Sequence, residues 1–244
     1  MSNKQDLLRE KRRYNLKEII SEAEIEKLQS GMPIQKIMGY VEFFDTKINV
    51  NKNVLIPRYE TEELVQLFYL NEREKIHEQG AYILDLCAGS GAIGLSLKNN
   101  FNKSVKVVLS DISQDAIEQM KQNAKENNLE VEIIKSNMFE NIKYKFDYII
   151  SNPPYISPSE ILSDSVINFE PHEALFAPDD GFYFYEQILN NLEQFLNKDG
   201  KLYLEISDHI YNIFQHKKFD QFNISYFKDI NDHWRFAIVT FKSK

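Results

Sequence analysis

The chain has 244 residues, of which 43% are hydrophobic and 27% charged, and its formal net charge at pH 7 is -8. This length fits one catalytic domain with a small appendage, and the composition excludes a largely disordered chain. The negative charge argues against stable nucleic-acid binding, and the absence of a long apolar run and of a leader-like N-terminus indicates a cytoplasmic protein without a membrane span.

Residues 1–38 are predicted to form a short N-terminal helical segment. Residues 5–29 are mostly good helix formers, and Pro33 lies beyond the end of that pattern. The segment carries a basic cluster that we interpret as a solvated helix face able to steer an acidic partner: Arg9, Lys11, Arg12 and Arg13. We therefore expect this segment to recognise a protein substrate.

Residues 39–57 are predicted to form a β-hairpin linker. Aromatic and β-branched residues are frequent from Tyr40 to Ile56, and Asp45 marks the turn between two strands. The remaining residues, 58–244, are expected to form the catalytic domain. Its first helix is predicted to be capped by Thr61 and to run to about Ile76.

In the third region, short apolar runs alternate with helical segments, as is typical of a doubly wound, mostly parallel sheet. Strands are predicted at residues 82–86, 105–111, 130–136, 146–151 and 201–207. Helices are predicted after Ser113, which could cap the first of them, and over residues 181–197. Two runs separated by three residues, 222–230 and 234–241, predict a C-terminal antiparallel hairpin. The predicted fold class is therefore α/β, with seven strands.

A turn of small residues follows the first predicted strand, in the sequence ILDLCAGSGAIG of residues 83–94. Small residues let the backbone approach a ligand closely, and the helix that follows presents unpaired N–H groups. The turn also matches the G-x-G-x-x-G pattern, so it does not separate a dinucleotide from S-adenosylmethionine. Asp111 ends the next strand, where a carboxylate can accept both hydroxyl protons of a ribose.

The sequence Asn152-Pro153-Pro154-Tyr155 follows the predicted strand 146–151. In an open parallel sheet, ligands bind beyond the carboxyl ends of the strands. Prolines fix φ and leave carbonyls that only accept hydrogen bonds. A planar NH₂ group could therefore donate to the Asn152 side-chain oxygen and to the Pro153 carbonyl, with Tyr155 as an aromatic wall. We predict that these four residues are the catalytic ones.

With these motifs in this order, the chain resembles the release-factor glutamine N5-methyltransferases, the HemK/PrmC family of class I methyltransferases. The resemblance runs from about Met32 to the C-terminus and includes PIQKIMG at 33–39, LIPRYETE at 55–62 and FEPHEAL at 169–175. Adenine-N6 DNA methyltransferases share the Asn-Pro-Pro-Tyr motif. The IPR-x-ETE and FEP-x-x-AL segments are characteristic of the glutamine enzymes.

The resemblance implies methyl transfer from S-adenosylmethionine to the amide nitrogen of the glutamine in the Gly-Gly-Gln motif of peptide-chain release factors, class 1. It implies that Asn152 to Tyr155 hold this glutamine. The cofactor-binding residues that it implies are Asp85, Cys87, Ala88, Gly89, Ser90, Gly91, Asp111, Ile112, Asn137, Met138 and Asn152. The region before the linker, usually longer in the family, would recognise the release factor.

Four positions depart from the family pattern. Cys87 and Ala88 stand where Gly and Thr are usual, Asn137 stands where Asp is frequent, and Tyr59 replaces a usual Pro. The first three bear on cofactor affinity. Cys87 is interpreted as a small turn residue and not as a nucleophile, because no histidine lies nearby in sequence to activate it.

Other functions stay open at this point. They are N5-glutamine methylation of a ribosomal protein, adenine-N6 methylation of nucleic acid, hydride transfer by a nicotinamide dehydrogenase, and cofactor binding without catalysis. No metal is expected, because histidines and carboxylates are scattered without metal-ligand spacing. His172 is interpreted as a structural or substrate-loop residue.

Overall fold

In a computed structural model, which describes residues 3–242, three short helices form the N-terminal segment. They are α1 (Lys4–Arg13), α2 (Glu22–Gln29) and α3 (Ile34–Met38). The side chains of Asn3 and Ser21 cap α1 and α2, each in a capping box. Leu7, Leu28 and Ile37, one from each helix, are buried together in a small core of their own.

The basic cluster of α1 is partly neutralised within the segment. Lys11 is buried, donates to the Ile19 carbonyl at 2.6 Å and pairs with Glu24 at 2.6 Å. Arg12 pairs with Glu18 at 2.7 Å. The interpretation of the whole cluster as a solvated face is therefore wrong for Lys11, whose ammonium group is paired within the segment.

A two-stranded hairpin follows, formed by β1 (Tyr40–Phe43) and β2 (Thr46–Asn49), with Asp45 in the turn as predicted. Lys36 of α3 holds the loop that follows this hairpin in the sequence. Its ammonium group donates to three carbonyl oxygens at 2.8 to 2.9 Å, those of Val50, Lys52 and Val54. The N-terminal segment therefore holds the backbone that leads into the main sheet.

Seven strands form the main sheet, in the order β5-β4-β3-β6-β7-β9-β8. They are β3 (Ala81–Leu86), β4 (Val105–Asp111), β5 (Glu132–Lys135), β6 (Phe146–Ser151), β7 (Leu196–Glu205), β8 (Phe222–Lys228) and β9 (Trp234–Phe241). All neighbours pair in parallel except β9, which is antiparallel to β7 and β8. The predicted α/β fold, with seven strands and a C-terminal hairpin, is confirmed.

Helices cover both faces of the sheet. They are α4 (Tyr59–Gln79), α5 (Ala92–Phe101), α6 (Gln114–Glu126), α8 (Tyr183–Phe195) and α9 (Asp208–His216), whereas the short helix α7 (Asp164–Phe169), between β6 and α8, contains no buried residue. Successive strand residues point to opposite faces. Ile83 accordingly lies in the core built with α4, α5 and α6, whereas Leu84 lies in the core built with α8 and α9. Among residues 3–242, no helix is both long and apolar enough to cross a lipid bilayer.

Several predicted boundaries are corrected. Thr61 does not cap α4, which begins at Tyr59 with Arg58 at the N-cap position. The predicted helix 181–197 ends at Phe195, because Leu196 already pairs with Phe146 across an irregularity in the sheet. For the same reason β7 begins before residue 201. Ser113 occupies the N-cap position of α6, but its side chain makes no capping hydrogen bond.

Candidate functional site

A cavity of about 290 Å³ lies at the carboxyl ends of β3, β4 and β6. The strand order reverses beside β3, which is where ligands bind in open α/β sheets. The predicted site residues that line the cavity are Cys87, Ala88, Gly89, Ser90, Asp111, Ile112, Asn137, Met138, Asn152 and Pro154. The predicted residues that do not line it are Asp85, Gly91, Pro153 and Tyr155.

The turn after β3 has an unusual backbone. Cys87, Gly89 and Gly91 all have positive φ, at 60°, 54° and 81°. Glycine adopts this conformation without steric cost, whereas a cysteine is strained in it. The family pattern, with Gly at this position, is thus explained by backbone geometry. Desolvation, with the nearby charges of Asp111 and Asp85, raises the pKa of the Cys87 thiol, which disfavours its thiolate form.

Asp85, at the end of β3, fixes the start of the helix that follows the turn. Its Oδ2 atom accepts a hydrogen bond from the Gly94 N–H at 2.8 Å, in the first turn of α5. Burial raises the pKa of Asp85 to about 8. A side chain at Gly94 would collide with Leu109 and with Asp85 itself. The third glycine of the motif therefore permits close packing of the helix on the strands.

Asp111 joins two loops at the cavity wall. Its Oδ2 atom accepts from the Gly89 N–H at 2.8 Å, and its Oδ1 atom accepts from the Ser113 N–H at 2.9 Å. Burial raises the pKa of Asp111, while these two N–H groups act in the opposite direction. Each carboxylate oxygen has a second lone pair, so the group retains acceptor capacity.

Asn152 follows β6 and is the first member of a hydrogen-bonded chain. Its Nδ2 atom donates to Thr61 Oγ1 at 3.1 Å, and Thr61 Oγ1 donates to Glu205 Oε2 at 2.6 Å. The Tyr155 hydroxyl donates to the other oxygen of Glu205 at 3.4 Å. The Pro153 carbonyl receives no backbone donor within residues 3–242. A carbonyl oxygen with unused acceptor capacity therefore lies just after the end of β6.

The remaining wall contains residues that the site prediction missed. Two groups come from motifs quoted for the resemblance or adjoin them, namely Asn53, Val54, Leu55 and Pro57 in the first and Pro171, Glu173, Ala174 and Phe176 in the second. Thr61, which also lines the cavity, lies in such a motif as well. Its hydrogen-bond partner Glu205 lies in none of the motifs. Phe184 of α8 lines the cavity without any sequence signal, whereas His172 does not line it.

Comparison with known proteins agrees with this architecture. A family model described as "Methyltransferase small domain" matches residues 66–169. The release factor glutamine methyltransferase of Lactococcus lactis is 40% identical over 232 residues, which are 92% of this chain and 83% of that protein. The protein of the same name from Streptococcus pneumoniae is 41% identical over 184 residues, which are 74% of this chain and 64% of that protein.

Among solved structures, the ribosomal protein L11 methylase of Lactobacillus delbrueckii subsp. bulgaricus matches with a TM-score of 0.55. The match covers 80% of this chain and 84% of that chain, at 18% sequence identity. At this identity the likeness concerns the fold alone. The lactococcal relative, similar over most of both lengths, decides the assignment, and the chain belongs to the release factor glutamine methyltransferase family.

Proposed function

We propose that this protein transfers a methyl group from S-adenosylmethionine to the glutamine amide nitrogen in the Gly-Gly-Gln motif of class 1 peptide-chain release factors. The observation that carries the proposal is the position of Asn152. Its side-chain nitrogen is held by Thr61, so its oxygen remains as an acceptor beside the Pro153 carbonyl. Asn152 lines the cavity that contains the glycine turn and Asp111, and Pro153 is the next residue along the chain.

The cavity residues fit S-adenosylmethionine. Asp111 offers oxygens to the two ribose hydroxyls, while Ile112 and Met138 offer apolar walls to the adenine ring. Ser110 Oγ is buried without a hydrogen-bond partner in the described part of the chain, and Ser110 lines the same cavity. The bound cofactor would supply an electrophilic methyl group on a positively charged sulfur.

The substrate side of the site must overcome the low reactivity of an amide. An amide nitrogen is a weak nucleophile because its lone pair is delocalised. The Asn152 side-chain oxygen and the Pro153 carbonyl accept hydrogen bonds from its two N–H groups. These hydrogen bonds orient the nitrogen and stabilise the positive charge that develops on it. Such alignment and fixed acceptors lower a barrier substantially without a strong general base.

The residues before the linker have a separate task in this proposal. Residues 1–38 recognise the release factor, and residues 58–244 carry out methyl transfer. Residues 39–57 link these two parts of the chain. The support is positional, since none of the residues lining the cavity precedes Asn53. Removal of residues 1–30 should raise KM for intact release factor and leave kcat little changed. A cytoplasmic location accompanies this proposal, because the relatives are named for a release factor.

The decisive experiment incubates the purified protein with methyl-labelled S-adenosylmethionine and purified release factor. The control is a release factor whose motif glutamine is replaced by glutamate, which has no amide to methylate. We expect label on the glutamine form alone, located by mass spectrometry of the motif peptide. In parallel reactions with a ribosomal protein or with DNA in place of release factor, label on either of these and none on the release factor would contradict the proposal.

A further inference from the structure

Thr61 lies between two hydrogen-bond partners, the carboxylate of Glu205 and the side-chain amide of Asn152. It is buried in the first turn of α4, with Glu205 Oε2 at 2.6 Å and Asn152 Nδ2 at 3.1 Å from its hydroxyl oxygen. A hydroxyl has one proton to donate, whereas an ionised carboxylate only accepts. The proton of Thr61 therefore goes to Glu205, and its oxygen is left to accept from Asn152.

This direction determines which end of the Asn152 amide faces the cavity. Only the NH₂ end of Asn152 can donate to an accepting Thr61 oxygen. The oxygen of the same planar group then lies on the other side. We propose that Thr61 and Glu205 are positioning residues, which hold the Asn152 amide so that its oxygen faces the substrate NH₂ group. This inference rests on the proposed function, because it assumes an amide substrate.

The same chain makes the orientation depend on the protonation of Glu205. Glu60 and Thr61 approach Glu205 from α4, Tyr155 from the loop after β6, and Arg235 from β9. Tyr185 of α8 donates to the Glu205 backbone carbonyl at 2.8 Å. Arg235 is itself paired with Asp229 at 3.1 Å. Glu205 is fully buried, and burial raises its pKa to about 7.

Protonation of Glu205 reverses the chain. The protonated Oε2 atom donates a hydrogen bond to Thr61 Oγ1. The Thr61 hydroxyl then donates its own hydrogen bond to Asn152. The Asn152 amide turns over to accept it, and its NH₂ group faces the substrate NH₂ group, so two donors oppose each other. Methyl transfer should therefore fall as the pH drops through about 7.

The test compares kcat with saturating cofactor and release factor at pH values from about 6 to 9 in four proteins. They are the wild type, Thr61→Ser, Thr61→Val and Glu205→Gln. We expect Thr61→Ser to keep most of the wild-type kcat and the same pH profile, because it keeps the hydroxyl. Thr61→Val should lose about tenfold in kcat at high pH and show a flat profile. Its affinity for S-adenosylmethionine, measured by calorimetry, should be little changed.

Glu205→Gln provides an independent arm, since it removes the titrating group at almost constant volume. Its profile should be flat whether or not Thr61→Val folds. A folded Thr61→Val protein with the kcat and pH profile of the wild type would overturn the proposal, as would a Glu205→Gln protein that keeps the fall near pH 7. Failure of the proposed function is distinct, because the wild type would then label no release factor at any pH.

Discussion

Arg58 and Glu170 form an ion pair of 2.6 Å although 112 residues separate them in sequence. The Glu170 side chain is 1% exposed, and its other oxygen accepts from the Ile56 N–H at 3.0 Å. The pair thus fastens the IPR-x-ETE segment to the FEP-x-x-AL segment. Since both segments adjoin the cavity, their joint occurrence in the sequence has a structural cause.

Substitution of Arg58 by leucine should lower both stability and cofactor affinity. It leaves Glu170 buried with one donor fewer, at a cost of about 1 to 3 kcal/mol in the free energy of unfolding. Arg12→Leu is the matched control, because the Arg12–Glu18 pair is exposed and its loss should change the stability little. Urea denaturation and calorimetry with S-adenosylmethionine measure the two effects. Equal costs for the two variants would show that Glu170 does not depend on Arg58.

Lys36→Met should loosen the cavity from a distance. The substitution removes the donor shared by three carbonyl oxygens of residues 50–54, and Val54 lines the cavity. We expect a loss of about 1 to 3 kcal/mol in stability and a weaker Kd for S-adenosylmethionine. Lys52→Met, which breaks only the exposed pair with Glu118, serves as the control. If both variants bind the cofactor like the wild type, the loop does not need Lys36.

Asn152→Ala should abolish most methyl transfer without unfolding the protein. Deletion of one preorganised acceptor typically lowers kcat by about 100-fold or more. The measurement is the rate of label transfer to release factor, accompanied by a thermal melt. Asn223→Ala on the exposed side of β8 should retain full activity. A folded Asn152→Ala protein that turns over at the wild-type rate would remove Asn152 from the site.

Asp111→Asn should weaken cofactor binding. The carboxylate accepts from Gly89 and Ser113 and, in our proposal, from both ribose hydroxyls. Asparagine keeps one acceptor and places a donor where the other was, which costs about 1.5 to 3 kcal/mol for a charge-assisted hydrogen bond. Calorimetry gives Kd, with Glu130→Gln, an exposed carboxylate before β5, as the charge control. An unchanged Kd for Asp111→Asn would mean that Asp111 serves the turn alone.

Glu205→Gln should stabilise the folded protein above pH 7. The folded-state pKa of Glu205 is raised from 4.5 to about 7, so the stabilisation by its proton is complete below pH 4.5 and is lost as the pH rises through about 7. Glutamine stays neutral at every pH. The variant should gain up to about 3 kcal/mol over the wild type at alkaline pH and nothing near pH 4.5. Denaturant titrations at several pH values measure the difference, and a pH-independent difference would contradict the raised pKa.

The sequence predicted the parts of the molecule whose signals are local. The strand 105–111 and the hairpin strand 234–241 have the predicted bounds, because runs of β-branched and aromatic residues end at turn residues. The roles of Thr61 and Glu205 were not predictable, since their contact spans 144 residues. A threonine before two glutamates predicts a cap locally, and only the packing of α4 on β7 turns its hydroxyl towards Glu205.

The small core of Leu7, Leu28 and Ile37 is separate from the two cores of the main sheet. Few buried apolar contacts oppose its opening, so helices α1 and α2 should exchange their amide hydrogens with deuterium faster than the strands β3, β4 and β6. A release factor bound at these helices would slow that exchange, whereas one bound at the cavity alone would leave it as it was. Deuterium uptake along the chain therefore locates the docking surface without any substitution.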